Sequence, residues 1–116
     1  MNRTPIPLNE IVFLKADANY TEFHLVGGRK TLSPRTLKHH ENMPAMRHFL
    51  RVSHSFLLNP AYIYGISRIN NMAVVHLADG TRVQASRRRQ NVLKELEMAN
   101  RENVVPPLQI LATKEA

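Results

Sequence analysis

The chain has 116 residues, 43% of them hydrophobic and 22% charged, and it contains no cysteine. That suffices for one domain with its own core, and it excludes disulfides, thiolate metal sites and cysteine nucleophiles. A net charge of +7 and a pI near 10.4 predict a polyanionic partner, either nucleic acid or an acidic membrane surface. No apolar run approaches the length of a membrane span, and the N-terminus lacks the basic-then-apolar layout of a signal peptide. The absence of cysteine makes the cytoplasm the expected location. Between Phe23 and Lys94 stand twelve Lys or Arg against two acids, Glu41 and Asp79. The basic excess belongs to the middle of the domain, not to a tail.

Residues 1–7, with Pro5 and Pro7, read as an extended leader. Ile11 to Leu14 and Tyr20 to Val26 are β-rich runs, and Thr21, Phe23 and Leu25 share one face of the second. Gly27-Gly28 signals a hairpin, with Arg29 to Leu32 as the return strand. Ser33 suits a helix N-cap and Pro34 a first helical position, so a short helix is predicted to follow until Asn42 and Pro44 stop it. Phe49 to Leu58 and Tyr62 to Arg68 are strand-like, separated by Asn59-Pro60-Ala61. Asn70-Asn71 is a turn candidate before "MAVVHLA", and Asp79-Gly80 joins that run to "TRVQAS" in a second hairpin. After Ser86, Val92, Leu93 and Leu96 recur at helical spacing, which predicts a C-terminal helix capped by Ser86. Its first turn would carry Arg87, Arg88 and Arg89, positive charge where the helix dipole disfavours it. Residues 100–116, with Pro106-Pro107, read as a tail. With no βαβ alternation and no repeat, the fold class is mostly β and antiparallel, with one short internal helix and one terminal helix.

The segment "RVSHSFLLNP", Arg51 to Pro60, poses a specific question. Simple alternation would put His54 on the same face as Val52 and Phe56, which points a histidine at the core. Either it is a satisfied buried residue, or the chain bends there and presents it outward. The six histidines show no HxxxH or HxH spacing, so no metal site is expected. Ser53, His54 and Ser55 are sequence neighbours whose side chains alternate in direction, which does not make a serine–histidine pair. There is no phosphate-binding glycine loop. The chain reads as a non-enzyme with no cofactor. "SRRR", Ser86 to Arg89, offers phosphate clamping and a guanidinium fork suited to a guanine edge.

Taken in order, "IVFLKADANYTEFHL", "SPRTLKHHE", "HFLRVSHSFLLNPAYIYGI" and "VVHLADGTRVQASRRRQNVLKEL" resemble a LytTR-type DNA-binding domain. The resemblance covers about residues 8–97, within a domain placed at 8–99. It implies an elongated stack of small antiparallel sheets and a bacterial transcription regulator that enters major grooves with loops and bends the duplex. It further implies two copies on a pair of short DNA repeats, a separate signalling protein as a further partner, and no membrane. Residue by residue, it implies base contacts from Asn19 and Tyr20, from His54, and from Arg88 with Arg87 beside it. Lys38, Arg51 and Ser55 are candidates for contacts to the DNA backbone, together with Ser53, Ser86 and Arg89. The chain departs from the family pattern Arg-x-His-(Arg or Asn)-Ser, because its histidine stands one position later, at His54. Such domains are also commonly joined to a receiver domain. Here the first strand follows Met1 within about ten residues, so the chain reads as a stand-alone member or an excised domain. Two other readings carry different expectations: a small β-barrel that binds single strands, which needs exposed aromatics for stacking, and a basic protein-interaction module.

Overall fold

A computed structural model of the chain describes residues 6–89 and Leu93. Most of the expected leader, the body of the expected C-terminal helix and the expected tail lie outside the described residues. Among residues 6–89, eight strands and one α-helix follow in order: β1 (Ile11–Asp17), β2 (Tyr20–Leu25), β3 (Lys30–Ser33), α1 (Leu37–Glu41), β4 (Leu50–Arg51), β5 (Phe56–Leu58), β6 (Ile63–Ile69), β7 (Met72–Leu77) and β8 (Arg82–Gln84). They form two antiparallel sheets, ordered β3-β2-β1-β5-β4 and β6-β7-β8. The protein is mostly β, as its sequence predicts.

The five-stranded sheet is covered on both faces. Ile11, Leu14, Phe23 and Leu57 pack with Leu37 of α1 and with Met46 from the 3-10 turn Pro44–Met46. Val12, Phe13 and Leu58 pack with Val75, Leu77 and Val83 of the second sheet. Four consecutive residues, Ile11 to Leu14, are buried because both faces are covered, and a bulge in the β1–β2 pairing lies between Ile11 and Phe13. The extra residue breaks strict alternation and turns Val12 and Phe13 toward the same core. That core also holds Leu93, beyond the last described strand.

The turns follow the local chemistry. Asn70 and Asn71 both take left-handed φ, 53° and 68°, between β6 and β7, a conformation that asparagine tolerates well. Gly80 takes φ 95° before β8, where the Asp79 carboxylate accepts from the Thr81 N–H at 2.9 Å.

Two expected elements differ. The helix starts later than Ser33-Pro34: Ser33 is still in β3, paired with Thr21, and Thr36 is the cap, its side-chain oxygen accepting from the His39 N–H at 3.2 Å. Sheet pairing wins over the capping preference of Ser33, whose Oγ instead accepts from the Arg35 N–H. The run Phe49 to Leu58 is not one strand but the hairpin β4–β5, with Val52 to Ser55 as its loop. Asn59 then closes β5. Its amide donates to the Ile11 carbonyl at 2.8 Å and its side-chain oxygen caps the 3-10 turn Pro60–Tyr62.

Candidate nucleic-acid interface

Strand direction gathers the loops at one end of the five-stranded sheet. β1 finishes there at Asp17, and a two-residue turn, Ala18-Asn19, leads into Tyr20 of β2. The β4–β5 loop is fixed beside it, because the Ala16 N–H donates to the Ser55 carbonyl at 2.8 Å. β3 ends at the same edge, and the buried Thr21 hydroxyl donates to the Arg35 carbonyl at 2.8 Å, tying the β3–α1 connection to β2. The chain after β8 joins them, with the Ser86 N–H donating to the Val52 carbonyl at 2.8 Å. Arg87–Arg89 then form a 3-10 turn. Segments some seventy residues apart in sequence thus share one surface.

The β4–β5 loop is organised by Arg51. Its Nε donates to the Ser53 carbonyl at 2.7 Å and its Nη2 to the His54 carbonyl at 2.8 Å, while Nη1 pairs with the Glu41 carboxylate of α1. Only 10% of the Arg51 side chain is exposed. The other Glu41 oxygen lies 3.9 Å from Nη1 of Arg89. One guanidinium and one carboxylate therefore link the helix, the loop and the arginine turn. The planar fork of arginine suits this task, since it presents several donors in fixed directions. Ser53 adds a local brace, its Oγ accepting from the Ser55 N–H at 3.2 Å.

The residues singled out from the sequence fall as follows. Asn19, Tyr20, Lys38, His54, Arg87 and Arg88 are exposed; Ser53, Ser55, Ser86 and Arg89 are half-buried at the same end. His54 lies in the loop, directed away from the core. Arg51 is turned inward. Exposed Lys15 and Arg35 add positive charge. Of the nearby acids, Glu41 is held by Arg51 and Arg89, Glu22 bonds His24 at 2.9 Å, and Asp17 at the end of β1 is exposed. That hydrogen bond holds the Glu22 carboxyl below its ordinary value.

The sequence reading missed Ala18, which takes a left-handed φ of 55° at the tip of the β1–β2 turn. An L-alanine there costs about 1–2 kcal/mol, and it immediately precedes Asn19 and Tyr20, the two residues of the first loop assigned to base contact. The fold sustains that cost next to Asn19.

His40 also has an identifiable role. It is half-buried on α1, bonds the Ser33 Oγ at 2.9 Å and meets the Phe23 ring edge-on at 4.9 Å. Burial, and then the neighbouring His39 and Arg35, holds it below the usual 6.5. A histidine whose folded value is depressed binds protons more readily when unfolded. Its contribution is thus fully present above about pH 6.5 and is lost as pH falls through the folded value. The melting temperature is expected to decline in that window, and His40→Gln is expected to flatten the decline in a pH series of thermal melts. Glu22 contributes to the slope only at lower pH, in the carboxylate range.

Two small antiparallel sheets with a basic, loop-built end define a β-domain of the nucleic-acid-binding class. The family model of the LytTr DNA-binding domain matches residues 2–98, and the chain belongs to that family. It is a DNA-binding domain, of a family that is not one of enzymes. Among solved structures it is similar to the LytTr DNA-binding domain of a protein described as a methyl-accepting/DNA response regulator from Bacillus cereus. That similarity has a TM-score of 0.70 at 20% identity, covering 80% of this chain and 85% of the other. No curated protein matches the chain. Among the described residues, no helix is long and apolar enough to cross a membrane.

Proposed function

We propose that the domain binds particular double-stranded DNA sequences through the loops at this end and so regulates transcription. The observation that carries this reading is the convergence of the β1–β2 turn, the β4–β5 loop and the Arg87–Arg89 turn on one basic surface. Asn19, Tyr20, His54, Arg87 and Arg88 are the side chains offered to base edges in the major groove. Lys38, Ser53, Ser55, Ser86 and Arg89 are those offered to phosphates, which fix register without reading sequence. Arg51 serves the same surface from within, as the residue that holds the loop bearing His54. Two copies on paired short repeats, with bending of the duplex between them, complete the proposal, and a separate signalling protein is its regulator.

Selection of preferred duplexes from a random pool, followed by anisotropy titrations, tests the central claim. Failure to prefer any selected duplex over random DNA would sink it. Arg88→Ala is expected to cost about 1–3 kcal/mol at one base pair and relax preference there. A uniform loss across all duplexes would make Arg88 a phosphate clamp. His54→Asn is expected to change the preferred base at one position of the selected site, read by repeating the selection. An unchanged site would show that His54 touches no base. The single-strand reading fares worse on one count: Tyr20 is the one strongly exposed aromatic residue among those described, so there is no row of rings for stacking.

A further inference from the structure

On the α1 side of the five-stranded sheet lies a cleft of about 470 Å³. Its walls come from Ile6, Leu8, Phe23, Leu32 and Met46, with Ser33 and His40 forming a polar corner. This is the size and lining of a small-molecule site, mostly apolar with a few converging polar groups. Leu32 is 65% exposed, and Leu8 also shows much of its surface, so apolar area faces solvent around the mouth. A leucine on the outer edge strand β3 contributes little to the core and leaves this surface open to a ligand.

The polar corner selects the ligand. Among the described residues, no acid lines the cleft. The Ser33 hydroxyl and the His40 ring are joined at 2.9 Å, and the Arg35 N–H donates to the same Ser33 Oγ at 3.2 Å. The Arg35 guanidinium has no ion pair among the described residues. An amine would find no counter-charge there, and a purely apolar molecule would strip water from the corner without replacing its hydrogen bonds. A carboxylate answers both, with an alkyl chain along the aliphatic walls. We propose that this cleft is an effector site for a medium-chain aliphatic carboxylate. The wall of the cleft is also a support of the DNA-facing end. His40 precedes Glu41 on α1, and Glu41 holds Arg51 and, more loosely, Arg89. Occupancy that shifts α1 reaches the β4–β5 loop through that pair. This last step rests on the DNA-binding surface proposed above, whereas occupancy of the cleft does not.

Titration of the full chain with hexanoate, octanoate and decanoate below micelle formation, followed by amide NMR shifts, tests occupancy without DNA. Saturable shifts centred on Leu32, His40 and Met46 are expected, with affinity rising about fourfold per added CH₂. Leu32→Glu, at a position where the fold does not need leucine, is expected to weaken decanoate about tenfold by setting like charge at the mouth. Shifts spread over the arginines 87–89, or affinity independent of chain length, would overturn the site. Equal binding of decanol would overturn the carboxylate. Concentration-dependent shifts at the same residues without ligand would assign the cleft to a second copy. Nuclear Overhauser contacts from residues 1–5 to Leu32, undisplaced by decanoate, would assign it to the chain's own N-terminus. Saturating decanoate is expected to change affinity for a selected duplex about threefold or more. An unchanged affinity with the cleft occupied would remove the effector role, and a domain without any DNA preference would fail the earlier reading while leaving occupancy standing.

Discussion

Arg51→Ala is expected to lower stability by about 2–3 kcal/mol in urea denaturation, with the slope m unchanged, and to lower the melting temperature by about 10 °C. The substitution removes both donors to the carbonyls of residues 53 and 54 and leaves Glu41 without its closest cation. Breaking a buried ion pair by removing one partner costs about 3–5 kcal/mol, and the 30% exposure of the Glu41 side chain brings the expectation below that range. Glu41→Gln should be milder, about 1 kcal/mol, because an amide oxygen still accepts from Nη1. Arg51→Lys should fall between them, since one ammonium cannot reach a carboxylate and two carbonyls in the geometry of a fork. The same variants separate two roles for Arg51 on DNA. If it positions the loop, Arg51→Ala loses preference for the selected duplex and leaves the salt dependence of non-specific binding unchanged. If it clamps a phosphate, stability stays within about 0.5 kcal/mol and the salt slope falls by about one.

Arg51 also shows where reading a sequence stops. An arginine that holds a loop from inside and one that faces a phosphate look alike in a chain of letters; the difference is the Glu41 carboxylate, ten residues away on another element. The strands and turns were legible because their signals are local. Gly27-Gly28, Asn70-Asn71 and Asp79-Gly80 each sit in the turn between two strands, and the first strand runs were placed within a few residues. The helix start was misplaced for a non-local reason, namely that Ser33 is claimed by its partner Thr21 across the sheet. The strand-like run Phe49 to Leu58 left open whether the chain bends at His54, because the bend at residues 52–55 is held by Glu41-paired Arg51 and by the Ala16 and Ser86 amides, partners that lie largely outside the segment. The bulge at Val12 and the left-handed Ala18 left no composition signal, since both place ordinary residues in unusual backbone. The clustering of loops at one end was visible only through the family resemblance. In physical terms it follows from strand directions, from two backbone hydrogen bonds and from the Thr21 hydroxyl. The cleft was invisible, because its walls come from residues 6, 32 and 46, brought together by topology alone.

Affinity for DNA is expected to fall about a thousandfold between 50 mM and 200 mM salt, the largest effect on binding predicted for this protein. The estimate rests on about six phosphates contacted, each releasing nearly one counterion, which gives a slope of log affinity against log salt of about −5. The surface makes that number reasonable. Lys15, Arg35, Lys38, Arg87 and Arg88 are exposed around the loop end and Arg89 is half-exposed, while Glu41 and Glu22 are already engaged within the protein. Asp17 is the one exposed acid at this end among the described residues, so the cations outnumber it and most remain to displace counterions. Anisotropy titrations of a selected duplex and a random duplex over this salt range give the two slopes. Arg89→Ala should reduce both slopes by about one, because a phosphate contact is the same on any sequence. Arg88→Ala should act mainly on the selected duplex, as expected of a base contact. A slope shallower than about −2 on both duplexes would mean that this basic end does not lie along the DNA backbone, and the interface would have to be sought on another face. A steep slope that is identical for selected and random DNA, and insensitive to Arg88→Ala, would keep the electrostatic footprint while removing base reading from the Arg87–Arg89 turn.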